Sequence, residues 1–414
     1  MAPARLRTTL RVMQRSLHVL IAGAGVAALE ATLALKALAE ERVDVEVLAP
    51  ETDFVYRPLA VAELFGKGEV RSFPVGRLVE LAGARLTPGA LESVDLGRRR
   101  ARTADSRELP WDVLVLAVGV RTREGVPGGL TFRGREEREE LTEVLDAASA
   151  GRLGSITFAL PSQTAWPLPL YELALMTKTV LEDRGATQVP VSLVTPEASP
   201  LAIFGRAASE TVAEVLAGCN IAVHAQTTPV AFRDGALVVV PGRAIRTQQV
   251  VSIPVPEGRQ IPGIRQDGRG FVPVDERGRV EGRDDVFAVG DMTAFPVKQG
   301  GIASQQADAA AEWIAALAGV EIEPRPFRPV LRGLLLTGLS PRFLRSDVLD
   351  GSSEVDMEPL WWPPGKIAGR YLAAFLAEHF GLSAELPPGL LDEASAREVE
   401  VELAARGGGA HDAR

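Results

Sequence analysis

The chain has 414 residues, 46% apolar and 24% charged, a length and balance that suit two or three packed domains. Its formal net charge of −9 excludes a nucleic-acid binder working through a basic face. A single cysteine, Cys219, excludes an internal disulfide, a CxxC redox pair and a multi-thiolate metal site; none of the four histidines pairs at metal-ligand spacing, so no protein-held metal is expected.

Arg5, Arg7, Arg11 and Arg15 precede an apolar run in the manner of a signal peptide. That run holds the strongest motif of the chain, which cleavage would destroy, so residues 1–15 read as an extension ahead of the first domain. No apolar run reaches the roughly 18 residues of a spanning helix, and a cytoplasmic location is the default expectation.

His18 to Ala22 is a short apolar run fit for a buried parallel strand. From Val26 onward Leu29, Leu33, Leu35 and Leu38 recur at near-helical spacing. Between them lies Gly23-x-Gly25-x-x-Ala28. Gly23 permits a tight turn, Gly25 lets backbone approach a pyrophosphate, and Ala28 lets the helix pack closely on the strand. The amides at the helix start supply donors and partial positive charge. The motif therefore predicts a dinucleotide site.

Arg42 to Leu48, RVDVEVL, reads as the second strand of the same unit. Such strands commonly end in an acid that holds a ribose hydroxyl. Here Ala49 and Pro50 occupy that place and Glu51 follows, leaving two readings open: ribose ligand from a shifted turn, or surface residue. Tyr56 and Arg57 come next, either lining the cofactor or anchoring a loop. Residues 71–81 suggest a helix and 84–95 short strands, with Leu91 counted among the cofactor-binding residues. Residues 92–108 suggest an exposed charged hairpin. Leu109 to Val120, LPWDVLVLAVGV, is a buried strand ending in small residues, so Ala117 and Gly119 allow close approach to a ligand. Residues 121–150 read as a crossover with a helix over 136–150.

A second α/β unit follows: SITFAL as a strand, a helix over 171–181, then VPVSLVTPE. Its turn, Pro161 to Pro169, has no glycine, and Pro161, Pro167 and Pro169 remove backbone donors while Trp166 adds bulk. The lobe is expected to keep the shape and to have lost the nucleotide site. Residues 207–218 form a helix, with Cys219 as a core residue past its end. In DDVFAVGDMTAFPVKQGGIASQQADAAA, a strand over 286–289 leads to Gly290 and Asp291, then to a helix from about residue 302. Gly290 permits close approach and Asp291 accepts hydrogen bonds from a polyol. Lys298 offers positive charge to a reduced ring, and Gln299, Gln305 and Gln306 offer neutral polar groups. LRGLLLTG is an apolar strand. After Trp361 and Trp362, a helix carries Ile367, Tyr371, Leu372, Phe375, Leu376 and His379 on one face. It suits the core, a homodimer interface or a membrane surface. The glycine-rich end, 406–414, reads as a flexible tail.

With GAGVAA, WDVLVLAVG and FAVGD in this order, the chain resembles the FAD-dependent pyridine nucleotide-disulfide oxidoreductase-like flavoproteins. FVYRPL, TPEASPLAIFG and GDMTAFPVKQGGIASQQAD are similar to the branch of sulfide:quinone oxidoreductases and type II NADH dehydrogenases. The resemblance implies an α/β fold of two Rossmann-like lobes with a C-terminal cap. The expected divisions are FAD-binding over 16–150 and 256–330, a nucleotide-like lobe over 151–255, a cap over 331–395 and a tail over 396–414. It implies FAD, with the first motif on the pyrophosphate and Asp291 on the ribityl chain; no Cys or His lies near these motifs apart from His18 inside a strand, so the FAD is expected to be non-covalent. The sulfur-passing cysteine pair and the glycine-rich second turn of the two known branches are missing. The expectation is an FAD oxidoreductase taking electrons from a small-molecule donor. Its acceptor would be a quinone near Gln299, Gln305 and the two tryptophans, with catalysis assigned to Lys298, Gln299 and Gln305 and peripheral membrane contact at the cap. An NAD(P)H dehydrogenase with an altered turn and a non-catalytic interaction protein are the alternatives.

Overall fold

The computed structural model describes residues 15–361, 365–367 and 369–381; Trp362, residues 1–14 of the extension over 1–15, and the tail lie outside them. Strand β1 (Leu17–Ala22) leads through the glycine turn into helix α1 (Val26–Ala39) and then β2 (Val43–Ala49). Further along come β3 (Arg85–Pro88) and β4 (Val113–Leu116). Alternate side chains of β1 feed two cores, as the two-residue period of a strand requires: Val19 and Ile21 pack with α1 on one face, Leu20 and Ala22 with Trp111 and Leu114 on the other.

After Arg121–Arg123 the chain crosses to a second parallel sheet built from β5 (Leu130–Thr131), β6 (Ile156–Ala159), β7 (Val191–Val194), β8 (Ile221–His224) and β9 (Gln249–Ser252). Their order is β5-β9-β6-β7-β8, and helix α2 (Leu168–Asp183) follows β6. Leu130 and the helix Arg138–Ser149 share this second core through Leu141 and Ala148, although the sequence reading assigns them to the first lobe. The crossing falls earlier, where Arg121–Arg123 pairs antiparallel with Val255–Glu257. The chain then returns as β10 (Val286–Ala288), which completes the first sheet in the order β10-β4-β1-β2-β3, all parallel.

Helix α3 (Gly300–Leu317) packs against α1 through small side chains: Ala27, Ala28, Ala31 and Ala34 share a core with Ala303, Ala307, Ala310 and Ala311. The cap is an antiparallel sheet of β11 (Val330–Leu335), β12 (Arg342–Asp347) and β13 (Ser353–Asp356), seated on the second lobe. The closing helix α4 (Leu372–Phe380) packs Leu372 and Leu376 on the first lobe. It begins later than the sequence pattern suggests, because Ile367 belongs to the approach segment and packs against Gly300. No helix among the described residues is long and apolar enough to cross a membrane.

The start of α4 is held by a buried acid. The Glu30 carboxylate accepts the backbone N–H groups of Tyr371 and Leu372, both at 2.8 Å. Asp308 lies beside it, one carboxyl oxygen without a partner, and Glu312 beyond is neutralised by Arg325 and faced by Arg370. Burial, then the Glu30 charge, pushes Asp308 up to about 8, and burial also pushes Glu30 up. The folded protein thus keeps a proton that the unfolded chain releases near the ordinary carboxylate value, about 4. The unfolded state binds fewer protons across that window, so stability falls as pH rises. The melting temperature is expected to drop between about pH 5 and about pH 9, and Asp308→Asn to flatten that slope; thermal unfolding across pH measures both.

Candidate functional site

The carboxyl ends of β1, β2, β4 and β10 open into one cavity of about 710 Å³, which continues between the lobes to α2 and β11. Its volume lies within the range of small-molecule and cofactor sites. Of the residues singled out from the sequence, Gly23, Gly25, Glu51, Arg57, Leu91, Ala117, Gly119, Gly290, Asp291, Lys298 and Gln299 line it.

The two glycines of the first motif do different work. Gly23 has φ +122°, and a Cβ there would lie 2.2 Å from the carbonyl oxygen of Ala117. Its N–H donates to the Leu48 carbonyl at 2.8 Å, so the turn is pressed between two strand ends. Gly25 is open: a Cβ there would meet nothing within 4 Å. The protein's own packing leaves that space empty, as a group bound against the backbone requires. Gly25 also stands at the N-cap of α1 with no side-chain cap and no acid in the first turn, so the amides and the positive end of the helix face the cavity uncovered. Gly290, φ +76°, comes within close reach of Ala27, since a Cβ there would be 2.9 Å from the Ala27 side chain. Thus the residues present fit a dinucleotide. Ala28 is fully buried in the α1–α3 core and stays off the cavity, consistent with a packing role.

At the other end the polar groups are fixed one by one. Burial pushes Asp291 up to about 6, opposed by the Lys298 charge, while burial brings Lys298 down to about 8. The Lys298 ammonium donates to the carbonyls of Thr293 (2.5 Å) and Phe295 (2.7 Å) and lies 4.0 Å from the Phe271 ring centroid. Gln299 caps α3 by accepting from the Ile302 N–H at 2.9 Å and donates to the Arg332 carbonyl at 3.0 Å. Gln305 departs from expectation. It lies a turn and a half further along α3, where its amide accepts from the Val330 N–H and donates to the Val330 and Gly301 carbonyls. It ties α3 to β11 and lines no part of the cavity. Trp361 likewise packs edge-on to Phe343 and donates to the Gly365 carbonyl, off the cavity.

Three cavity residues escape the sequence reading. Glu172, 1% exposed, sits on α2, accepts from the Leu336 N–H at 2.9 Å and pairs with the Lys366 ammonium; burial drives its carboxyl pKa upward. Arg332 completes the group. The available signals were a lone acid in LPLYELALM and a lone arginine in VLRGLLL, charges inside apolar runs. Cys219 caps the helix Arg206–Gly218 away from the cavity, and burial raises its thiol.

The corresponding turn of the second lobe has different chemistry. Pro167 stands at the N-cap of α2, with Pro169 in its first turn. Glu197, past the end of β7, is turned inward, accepting from Tyr171 Oη at 2.6 Å and Thr195 Oγ1 at 2.8 Å. Gln163 closes the turn onto the Pro196 carbonyl.

No family model and no curated protein matches the chain. Among solved structures it is similar to the sulfide:quinone oxidoreductase of Aquifex aeolicus, with TM-score 0.74 and 19% identity over 83% of this chain and 87% of that one. It is also similar to NDH2 of Plasmodium falciparum solved with NADH, with TM-score 0.61 and 12% identity over 80% and 90%. A ferredoxin reductase of Rhodopseudomonas palustris gives TM-score 0.59 and 18% identity over 80% and 83%. The chain has their two-lobed FAD/NAD(P)-binding α/β fold, the fold its motifs imply.

The geometry separates the glycines experimentally. Gly23→Ala is expected to lose about 1–3 kcal/mol or more, whereas Gly25→Ala stays within about 1 kcal/mol of the parent because it meets open space. Urea unfolding of the two variants measures the difference.

Proposed function

We propose that the chain is an FAD-dependent oxidoreductase that takes electrons from a small-molecule donor other than NAD(P)H and passes them to an acceptor of the quinone type. The observation that carries this reading is the cavity with an open cradle at Gly25 and an uncovered helix end at one extremity, and a buried ion pair at the other. The names of the similar Aquifex and Plasmodium proteins support the reaction class. Bound FAD would supply the electron-transfer chemistry.

In this reading the amides at the start of α1 hold the pyrophosphate, Glu51 and Arg57 border the adenosine side, and Asp291 accepts from the ribityl hydroxyls. Ala117 and Gly119 let backbone approach. The ring end lies by Lys298, Gln299 and Gly300, where the ammonium and the α3 N-terminus favour negative charge on the pyrimidine side. Trp166, Leu168 and Leu334 exclude water from that end. A quinone takes up protons as well as electrons, and the Glu172–Lys366 pair holds a proton within the cavity wall. We assign it to proton delivery. The acceptor therefore meets Gln299 and this pair, rather than Gln305 and Trp361.

The proline turn and the inward Glu197 argue against a nicotinamide donor. A lone thiol outside the cavity argues against a cysteine-pair sulfur donor. Contact with a membrane surface remains part of the proposal through the quinone and the cap.

The purified protein is expected to be yellow, to release FAD on denaturation, and to keep an oxidised spectrum when NADH or NADPH is added anaerobically. Rapid bleaching by either would replace this reading with the dehydrogenase one, and colourless protein that refuses FAD would favour a non-catalytic role. Glu172→Gln should retain FAD but slow reoxidation by a soluble quinone about tenfold or more. An unchanged rate in stopped flow would remove the assigned role.

A further inference from the structure

Besides exposed arginines, the cavity is lined by three less exposed cations, Lys298, Arg332 and Lys366, and two of these are already satisfied. Lys366 pairs with Glu172, and Lys298 donates to two backbone carbonyls. Arg332 differs. Its backbone is locked by the bond from Gln299, it lines the cavity, and among the described residues its guanidinium has no carboxylate partner. The charge that does act on it is of the same sign: Arg345 stands directly opposite in the β11–β12 register. Arg345 is neutralised by Glu354 at 3.0 Å, which leaves Arg332 alone. Like charges directly opposed across strands are destabilising, and a half-buried guanidinium without an anion is costly to keep. The guanidinium fork matches a carboxylate through two parallel hydrogen bonds, and the same cavity has Trp166, Leu168 and Leu334 as apolar wall. Leu334, two residues along β11, projects from the same face of the strand as Arg332.

We propose that Arg332 is an anion-recognition residue that receives the carboxylate of a small organic acid whose apolar body lies against Trp166, Leu168 and Leu334. This deepens the oxidoreductase reading, on which it rests for the acid's being a substrate: the small molecule admitted to the ring end carries a negative charge.

Isothermal titration of the protein as purified, with its FAD content measured first, uses benzoate as probe and benzamide as its neutral counterpart. Benzoate should bind about tenfold or more tightly than benzamide, the ratio expected for a charge-assisted pair over a neutral contact. Arg332→Met should bring benzoate down to the benzamide level while leaving benzamide affinity, melting temperature and FAD content as in the parent. Arg332→Lys should recover part of the preference. Equal affinities in the parent, no binding of either probe, or a benzoate preference that survives in Arg332→Met would overturn the proposal. Should Arg332→Met fail to fold, Arg332→Gln takes its place, and the parent ratio alone still decides. Colourless protein that prefers benzoate would sink the flavin reading and leave the anion site standing; yellow protein without the preference would do the reverse.

Discussion

The contact between Gly23 and the carbonyl of Ala117 governs the first lobe. A Cβ at this position would lie 2.2 Å from that oxygen, so β1 must be followed by glycine if β4 is to lie beside it with its own end this close. That closeness brings the start of α1 over the ends of both strands and leaves Gly25 facing open space. The return strand β10 then delivers Gly290 against Ala27, and the alanine faces of α1 and α3 let the two helices approach where bulkier residues would hold them apart. The cavity is the space that remains above these ends.

Buried charge is handled in the same economical way throughout. Glu172 has Lys366, Glu197 has Tyr171 and Thr195, Lys298 has two carbonyls, and Glu30 has the amides that begin α4. Each of these four charges finds a partner, as its desolvation demands, and Asp308, with one oxygen unpartnered, is held towards its neutral form instead. Against that background an unpaired arginine on the cavity wall is informative, because the same logic that explains the others leaves it incomplete.

The two lobes share a parallel sheet and a strand-to-helix turn, yet the turns have opposite chemistry. In the first, backbone donors are exposed at the head of α1. In the second, proline removes donors at the head of α2, and Glu197 is spent on Tyr171 and Thr195. A shared architecture therefore carries one turn that offers backbone donors and one that withholds them.

What could be read in the chain were the features whose physical cause is local. The glycine turn, the apolar strands and the alanine-rich helices follow from steric freedom and side-chain periodicity over a few residues, and so β1, α1, β4 and β10 stood out, with Gly25, Asp291 and Gln299 beside the cavity they form. Tertiary structure decided what depends on distant partners. Gln305 and Gln299 look alike in the sequence, but their different positions around α3 point one at Val330 and the other at the cavity. Glu172 and Lys366 are separated by most of the second lobe and the cap, and only the return of the segment before α4 to α2 joins them. Arg332 looked like an interruption in an apolar strand. Its meaning came from register, which set Arg345 opposite it and left no anion within the described fold.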